Sequence, residues 1–163
     1  MLLTKILTPY ATGYVDLQSP AGAGTSVLVY NYDGDIYATD ESRMLAEMHD
    51  KTFRLGSVHD TSFQELVSGE PYRRVMAASI NEALPGCVDC AFQSYCGADP
   101  VFHHATQGDI YGHRPTSAFC FRNMEVLKYL FGLLSNGDVE TRRILLGWVT
   151  GSHPFANDKG QVQ

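Results

Sequence analysis

Residues 85–100 read PGCVDCAFQSYCGADP, and this stretch decides how the fold of the chain is interpreted. It carries Cys87, Cys90 and Cys96 in the pattern Cys-x2-Cys-x5-Cys, and Cys120 follows after 23 more residues. Three thiols within ten residues are too close to be independent core residues, and Cys120 completes a set of four. Because a [4Fe–4S] cluster takes one cysteine for each of its irons, the four cysteines are candidates to bind one such cluster.

A zinc ion with four cysteine ligands is the main alternative. Structural zinc sites of this kind commonly use two Cys-x2-Cys pairs, whereas this chain has one such pair, a step of five residues and a single distant cysteine. The spacing favours iron–sulfur, and zinc stays open as the alternative. On the zinc interpretation the chain is a peptide- or protein-interaction module without redox function. A third interpretation leaves the thiols unligated or disulfide-bonded.

Composition and charge argue against several classes of protein. The 163 residues are enough for one domain with its own core. A hydrophobic content of 44% is typical of a globular protein, and no apolar run approaches the roughly 20 residues that cross a bilayer. Residues 1–7 lack the features of a signal peptide, so we expect a reducing, cytoplasmic location that favours metal binding over disulfides. The net charge of −6 argues against a nucleic-acid partner.

The local patterns predict an α+β fold that begins with a β-hairpin. Residues 26–32 and 35–39 are rich in β-formers and flank Asp33-Gly34, which is a turn signal. A helix is expected over residues 2–7, followed by a loop from 8 to 24. A further helix is expected over 41–48, with a possible third strand at 52–56.

Helices then cover an irregular cysteine-rich loop. Ser62 and Glu65 form a capping-box pattern for a short helix to about residue 68, and a second helix follows Pro71. Residues 84–115 contain four glycines, three prolines and three cysteines, so they are predicted to be an irregular loop. A long helix is expected from residue 116 or 117 to about 134, and a last one from Asp138 to about 149. A polar, frayed tail is expected beyond residue 151.

The predicted long helix gives a physical reason for the distant fourth cysteine. Cys120 falls in its first turns, where the free backbone N–H groups and the positive end of the helix dipole stabilise a thiolate. Other polar and aromatic residues are given structural roles. Asp99 is expected to cap a turn, the histidines at 103, 104 and 113 to be structural or exposed, and Trp148 to lie in the core. The tyrosines at 30, 32 and 37 are expected to pack in the core or across the strands.

The cysteine stretch resembles the cluster-binding loop of SPASM domains, the C-terminal extensions of radical SAM enzymes that modify peptides and proteins. The family pattern has a leading Cys, a Gly-x4-Cys hairpin, a Cys-x2-Cys-x5-Cys-x3-Cys run and a final Cys, which together hold two auxiliary [4Fe–4S] clusters. In this chain Gly34 matches the hairpin glycine, but Thr39 and Pro100 stand at two cysteine positions and the leading Cys is missing. All three losses fall on the first cluster. The resemblance therefore implies one cluster, held by Cys87, Cys90, Cys96 and Cys120.

A narrower resemblance extends beyond the cysteines. Residues 30–35, 42–48, 105–109 and 112–117 are similar to the C-terminal part of a radical SAM maturase of the His-Xaa-Ser peptide system. In this family S-adenosylmethionine binds a separate cluster held by a Cys-x3-Cys-x2-Cys motif, and this chain has no such motif. We therefore expect an auxiliary domain that is not catalytic alone. Its expected partners are a precursor peptide and a radical SAM catalytic domain or companion maturase.

The resemblance also suggests a division of the chain and a role for the cluster. Residues 1–24 would be the remnant of a preceding barrel with its linker, residues 25–135 the SPASM-like domain, and residues 136–163 a C-terminal helix with a frayed tail. With four protein ligands no iron is left open. Electron transfer, or positioning of the substrate peptide, is therefore the expected role of the cluster.

Overall fold

An antiparallel sheet of three strands carries the predicted hairpin. In a computed structural model, which describes residues 1–8, 14 and 16–151, the strands are β1 (Val29–Tyr30), β2 (Asp35–Tyr37) and β3 (Arg54–Ser57). They lie in the order β1-β2-β3, with Tyr30 opposite Ile36 and Asp35 opposite Ser57. The Gly34 N–H donates to the Asn31 carbonyl at 2.9 Å, and Gly34 has a φ of +86°, which closes the turn. The hairpin and third strand are confirmed, although the strands are shorter than predicted.

Seven α-helices are found within the described residues. They are α1 (Leu2–Leu7), α2 (Asp40–Glu47), α3 (Phe63–Ser68), α4 (Glu70–Ala78), α5 (Pro100–Gln107), α6 (Ala118–Asn136) and α7 (Val139–Thr150). The predicted caps are confirmed: Ser62 forms a capping box with Glu65, Ser117 caps α6, and Asp138 caps α7. None of the described helices is both long enough and apolar enough to cross a membrane.

The prediction of one irregular loop over residues 84–115 is wrong, because α5 lies inside it. The Asp99 carboxylate accepts the N–H of Phe102 at 2.8 Å, and Pro100 occupies the first turn, where its missing N–H costs nothing. Gly108, with a φ of +71°, ends the helix. These are ordinary start and stop signals, and Asp99 caps a turn as expected.

The apolar core lies between the sheet and the helices that follow it. It is formed by ten buried side chains: Ala23, Ile36, Ala38, Phe53, Leu55, Leu66, Val75, Ala78, Val101 and Ile110. Tyr37 is also fully buried, as predicted, but Tyr30 and Tyr32 are 60% and 88% exposed. Trp148 is 69% exposed, so its predicted core position is wrong. The reason is that α7 turns Leu145 inward against its neighbours α1 and α6, and Trp148 lies at the rim of that contact.

A buried carboxylate joins β2 to β3. Asp35 is 7% exposed and accepts hydrogen bonds from Lys51 Nζ at 2.8 Å and Arg54 Nε at 2.7 Å. The hydrogen bond from Lys51, with that from Arg54 and the charges of both, lowers the pKa of Asp35 below the usual aspartate range. This pairing satisfies a charge that would otherwise be costly to bury.

Part of the predicted organisation stays a prediction. The predicted loop from residue 8 to 24 lies partly, and the predicted tail beyond 151 wholly, outside the described residues. The division at residues 24 and 135 also remains an expectation.

Candidate metal centre

Three of the candidate ligands lie on consecutive backbone turns between α4 and α5. The N–H of Cys87 donates to the Leu84 carbonyl at 3.0 Å, and the N–H of Cys90 donates to the Cys87 carbonyl at 3.0 Å. Cys96 follows a single 3-10 turn, Gln93–Tyr95. Gly86, just before the first cysteine, has a φ of +78°, a conformation that favours glycine. Short turns, rather than a helix or a strand, therefore carry the three thiols of this segment.

The fourth candidate ligand lies at the start of α6, as predicted. The Ser117 Oγ accepts the N–H of Cys120 at 3.2 Å and so caps the helix. Burial raises the pKa of the Cys120 thiol, and the charges of Cys87 and Cys90 add to the rise, while Arg114 opposes it. The stabilisation of a thiolate by the helix terminus stays a prediction.

The fold brings the four thiols into one region. Burial raises the pKa of the Cys96 thiol, the hydrogen bond from Asn123 opposes the rise, and the charges of Cys87, Cys120 and Cys90 add to it, so Cys96 is within electrostatic reach of the other three. Each is partly buried, and none is in a disulfide. Within residues 1–8, 14 and 16–151, no group of three or more His, Cys, Asp or Glu side chains is arranged to hold a metal ion. The binding of metal by these cysteines therefore stays a prediction.

Two polar side chains donate to the sulfur atoms themselves. The Arg114 Nε donates to Cys87 Sγ at 3.0 Å, and the Asn123 Nδ2 donates to Cys96 Sγ at 3.5 Å. Asn81 supports the same loop from behind, since its Nδ2 donates to the Cys96 carbonyl at 2.8 Å. Donors of this kind favour the thiolate over the thiol and orient metal ligands.

Arg114 is held in place by a buried histidine. His103 has no exposed surface; its Nδ1 donates to the Asp99 carbonyl at 2.7 Å, and its Nε2 lies 2.8 Å from Ser117 Oγ. The Arg114 Nη1 lies 2.7 Å from the same Nε2. Burial and the nearby Arg114 charge lower the pKa of His103, so the imidazole is neutral and its Nε2 accepts. His103 thus has the structural role expected of it. His104 lies partly buried beside Asp50, 2.7 Å from its carboxylate.

The two positions that lack the family's cysteines also lie together. Thr39 and Pro100 line a single cavity of about 240 Å³, with Ala21, Ala23 and Asp99 among the other lining residues. In SPASM domains these two positions carry cysteine ligands of the first auxiliary cluster. In this chain both positions line the cavity, and no cysteine is among its lining residues. Gly97 follows Cys96 directly, and it must be glycine because a Cβ there would overlap the Asp16 carbonyl oxygen.

The chemistry of the donor set, four free thiols with N–H donors beside them, suits a thiolate-bound metal group. Four free thiols are the donors that iron–sulfur clusters and structural zinc both take. The Arg114 Nη2 is buried without a hydrogen-bond partner, so the site has an N–H donor left over for a further acceptor. Sequence reasoning missed Arg114 and Asn123. Asn123 follows Cys120 by three residues, which is one helical turn, and this spacing is a usable signal.

Comparisons with known proteins address the fold. No protein-family model matches this chain, and no curated protein does either. The chain is similar to the solved structure of native anSMEcpe with bound AdoMet, an anaerobic sulfatase-maturating radical SAM enzyme, with 20% identity and a TM-score of 0.50. The match covers 83% of this chain and 34% of that one. A second structure, of hexahistidine-tagged anSMEcpe with bound AdoMet, matches with 16% identity and a TM-score of 0.46, over 89% of this chain and 36% of the other.

These likenesses concern the fold alone. The chain spans about a third of the length of the two solved structures it matches. It therefore shares the α+β fold of a part of a radical SAM maturase.

Proposed function

We propose that this chain is an auxiliary iron–sulfur domain of a radical SAM peptide maturase, and that Cys87, Cys90, Cys96 and Cys120 bind one [4Fe–4S] cluster. The observation that carries the proposal is a set of four free, partly buried thiols on two separate segments, two of which accept hydrogen bonds from the neighbouring side chains of Arg114 and Asn123. The fold shared with part of anSMEcpe supports the enzyme class. The likeness to SPASM domains in the cysteine spacing supports the choice of cluster.

The residues around the thiols have assignable tasks. Arg114 and Asn123 hold the sulfur atoms of Cys87 and Cys96, and Ser117 fixes the turn that carries Cys120. When bound, a [4Fe–4S] cluster accepts and releases single electrons at a potential set by hydrogen bonds to sulfur and by burial. The half-buried thiols and their two N–H donors are the features of this chain that would tune that potential.

The other partners follow from the same proposal. The substrate is a ribosomally made precursor peptide, of the His-Xaa-Ser kind by the resemblance in the sequence. S-adenosylmethionine and its own cluster belong to a radical SAM catalytic domain or companion maturase that works with this chain. The solved anSMEcpe structures hold AdoMet, and we assign that cofactor to the partner because all four cysteines here are used by the auxiliary site. A reducing, cytoplasmic location suits the free thiols.

A groove beside the cavity supports a part in positioning the peptide. The groove is apolar and includes the exposed side chains of Met44 and Met48. It shares Glu41, Asp99 and Val101 with the 240 Å³ cavity, so the two are continuous. Methionine-rich surfaces adapt to varied apolar partners, and the acidic residues suit a peptide with a basic residue beside an apolar one.

Metal analysis of anaerobically reconstituted protein tests the proposal. Wild type should contain about four irons and four sulfides per chain, with absorbance near roughly 400 nm. Cys120→Ala should lose iron or release it rapidly, while Val126→Ala, an exposed position on the same helix, should match wild type. About one zinc per chain without sulfide would instead establish the alternative, a zinc-stabilised interaction module.

A further inference from the structure

A buried cation without a counterion lies against the cysteine site. Arg114 is 8% exposed, and no carboxylate within the described residues forms an ion pair with it. A guanidinium stays charged in proteins, and burying a charge without a partner is costly. Something near Arg114 must therefore carry the opposite charge when the site is in its working state.

The hydrogen bonds of the guanidinium show where that charge belongs. Nε donates to Cys87 Sγ at 3.0 Å, and Nη1 lies against the His103 ring, 2.7 Å from its Nε2 and 3.1 Å from its Nδ1. Nη2 has no partner, although it is buried. Because His103 brings no negative charge, the acceptors that remain are the thiolates and whatever group they bind.

We propose that Arg114 is the countercation and positioning residue of the four-cysteine site, donating to Cys87 Sγ and offering its unpartnered Nη2 to the bound metal group. The identity of that group rests on the proposed function. The negative charge of the site does not depend on that identity, because four thiolates around either a [4Fe–4S] cluster or a zinc ion leave a net negative charge.

The same side chain couples the two segments that supply the thiols. From Cys87 the contacts run through Arg114 to His103, then to Ser117, and from Ser117 to the N–H of Cys120. Ser117 joins His103 to Cys120. Its Oγ accepts the N–H of Cys120, and its hydroxyl hydrogen is available to His103 Nε2, 2.8 Å away. Gly112 leaves the space this requires, because a Cβ there would stand 2.3 Å from the His103 ring. Arg114 thus acts on the loop cysteine directly and on the helix cysteine through one buried network.

Charge and hydrogen bonding can be separated by comparing Arg114→Gln, Arg114→Lys and Arg73→Gln. Arg73 is exposed on α4, so Arg73→Gln matches the change in net charge away from the site. Two quantities are measured on the anaerobically reconstituted chain: the rate at which a chelator removes the metal, and the midpoint potential by optical redox titration. Circular dichroism establishes that each variant is folded.

Arg114→Gln should release its metal at least tenfold faster than wild type. Its midpoint potential should fall by about 59 mV, which is a tenfold change for a one-electron couple, because a reduced cluster is more negative and loses its nearby cation. Arg73→Gln should match wild type in both. Arg114→Lys keeps the charge but not the forked hydrogen bonds, so it should keep the wild-type potential while releasing metal faster. If Arg114→Gln does not fold, Arg114→Lys tests the proposal in its place. Arg114 variants that match Arg73→Gln in both measurements would overturn the proposal.

The measurements also separate this proposal from the proposed function. If wild type holds zinc and no sulfide, the iron–sulfur function fails, and faster zinc release from Arg114→Gln would still support the countercation. If wild type holds neither cluster nor zinc after reconstitution, both proposals are overturned.

Discussion

Two regions of this chain are stabilised in different ways. The packed half, comprising residues 23–78 and 98–110, supplies all ten side chains of the apolar core. The cysteine half, comprising residues 85–97 and the first turn of α6, buries no apolar side chain between residues 85 and 96. Its backbone is held by short turns and by donors to sulfur and carbonyl groups. On the proposed function, we expect this region to take its order from the bound metal group, since metal–thiolate bonds supply folding energy that packing does not.

Removing the metal should give the largest difference between the two halves. With the site emptied by a chelator, amide exchange over residues 85–97 should approach the rate of an open loop, while residues 35–57 keep their protection. Structural zinc contributes about 10–16 kcal/mol in small metal-dependent peptides, so the effect on a weakly packed segment is large. Hydrogen exchange read by mass spectrometry makes the comparison. Equal protection of residues 85–97 with and without metal would contradict the idea that ligation orders them.

Replacing one phenylalanine in each half by alanine tests whether the two halves are packed to different extents. Phe53 is 1% exposed and meets the His104 ring edge-on at 5.3 Å, so Phe53→Ala should lower the free energy of unfolding by about 3–5 kcal/mol. Phe92 is only partly buried and stacks on Phe131 at 5.9 Å, so Phe92→Ala should cost about 1–2 kcal/mol. Urea unfolding of the anaerobically reconstituted, metal-loaded chain, each variant against wild type, measures both. Equal losses would mean that the cysteine half is packed as tightly as the sheet.

The buried carboxylate of the packed half should make its stability depend on pH. Asp35→Asn should cost about 1.5–3 kcal/mol, because hydrogen bonds from two cationic side chains are lost. The pKa of Asp35 is lower in the folded state than in the unfolded state, so the unfolded state takes up the proton first. The stabilisation is therefore complete above about pH 3.9 and is lost as the pH falls through the folded value. Urea midpoints between pH 3 and pH 6 should show a smaller acid loss in the variant.

Local chemistry made most of the packed half predictable. Asp33-Gly34 predicted the hairpin, and Ser62 with Glu65 predicted the start of α3, because turns and caps depend on neighbours in sequence. The start of α5 at Asp99-Pro100 had an equally local signal, but the many glycines and prolines around it obscured the pattern. Burial was harder to predict. Trp148 and Tyr32 are exposed because burial depends on which elements pack together, and that is a property of the tertiary structure.

The candidate ligands of the site could be predicted from the sequence, but the residues that donate to their sulfur atoms could not. The spacing of the cysteines named the four candidate ligands, and the cap at Ser117 placed Cys120 at the start of a helix. Arg114 lies 27 residues from Cys87 along the chain and belongs to no helix or strand with a periodic pattern. Its contact with sulfur depends on how the intervening α5 folds back, so no local rule could have found it.

The smallest effects should come from the helix caps, and they provide a matched pair. Ser62 caps α3 at the surface, and Ser117 caps α6 while also contacting buried His103. Ser62→Ala should cost about 1 kcal/mol of stability and leave metal release unchanged. Ser117→Ala should cost a similar amount for the cap itself, but it also removes a partner of His103 Nε2 and loosens the turn that carries Cys120. We therefore expect faster metal release from Ser117→Ala alone. If both variants released metal at the wild-type rate, the cap of α6 would serve the helix and not the cysteine site.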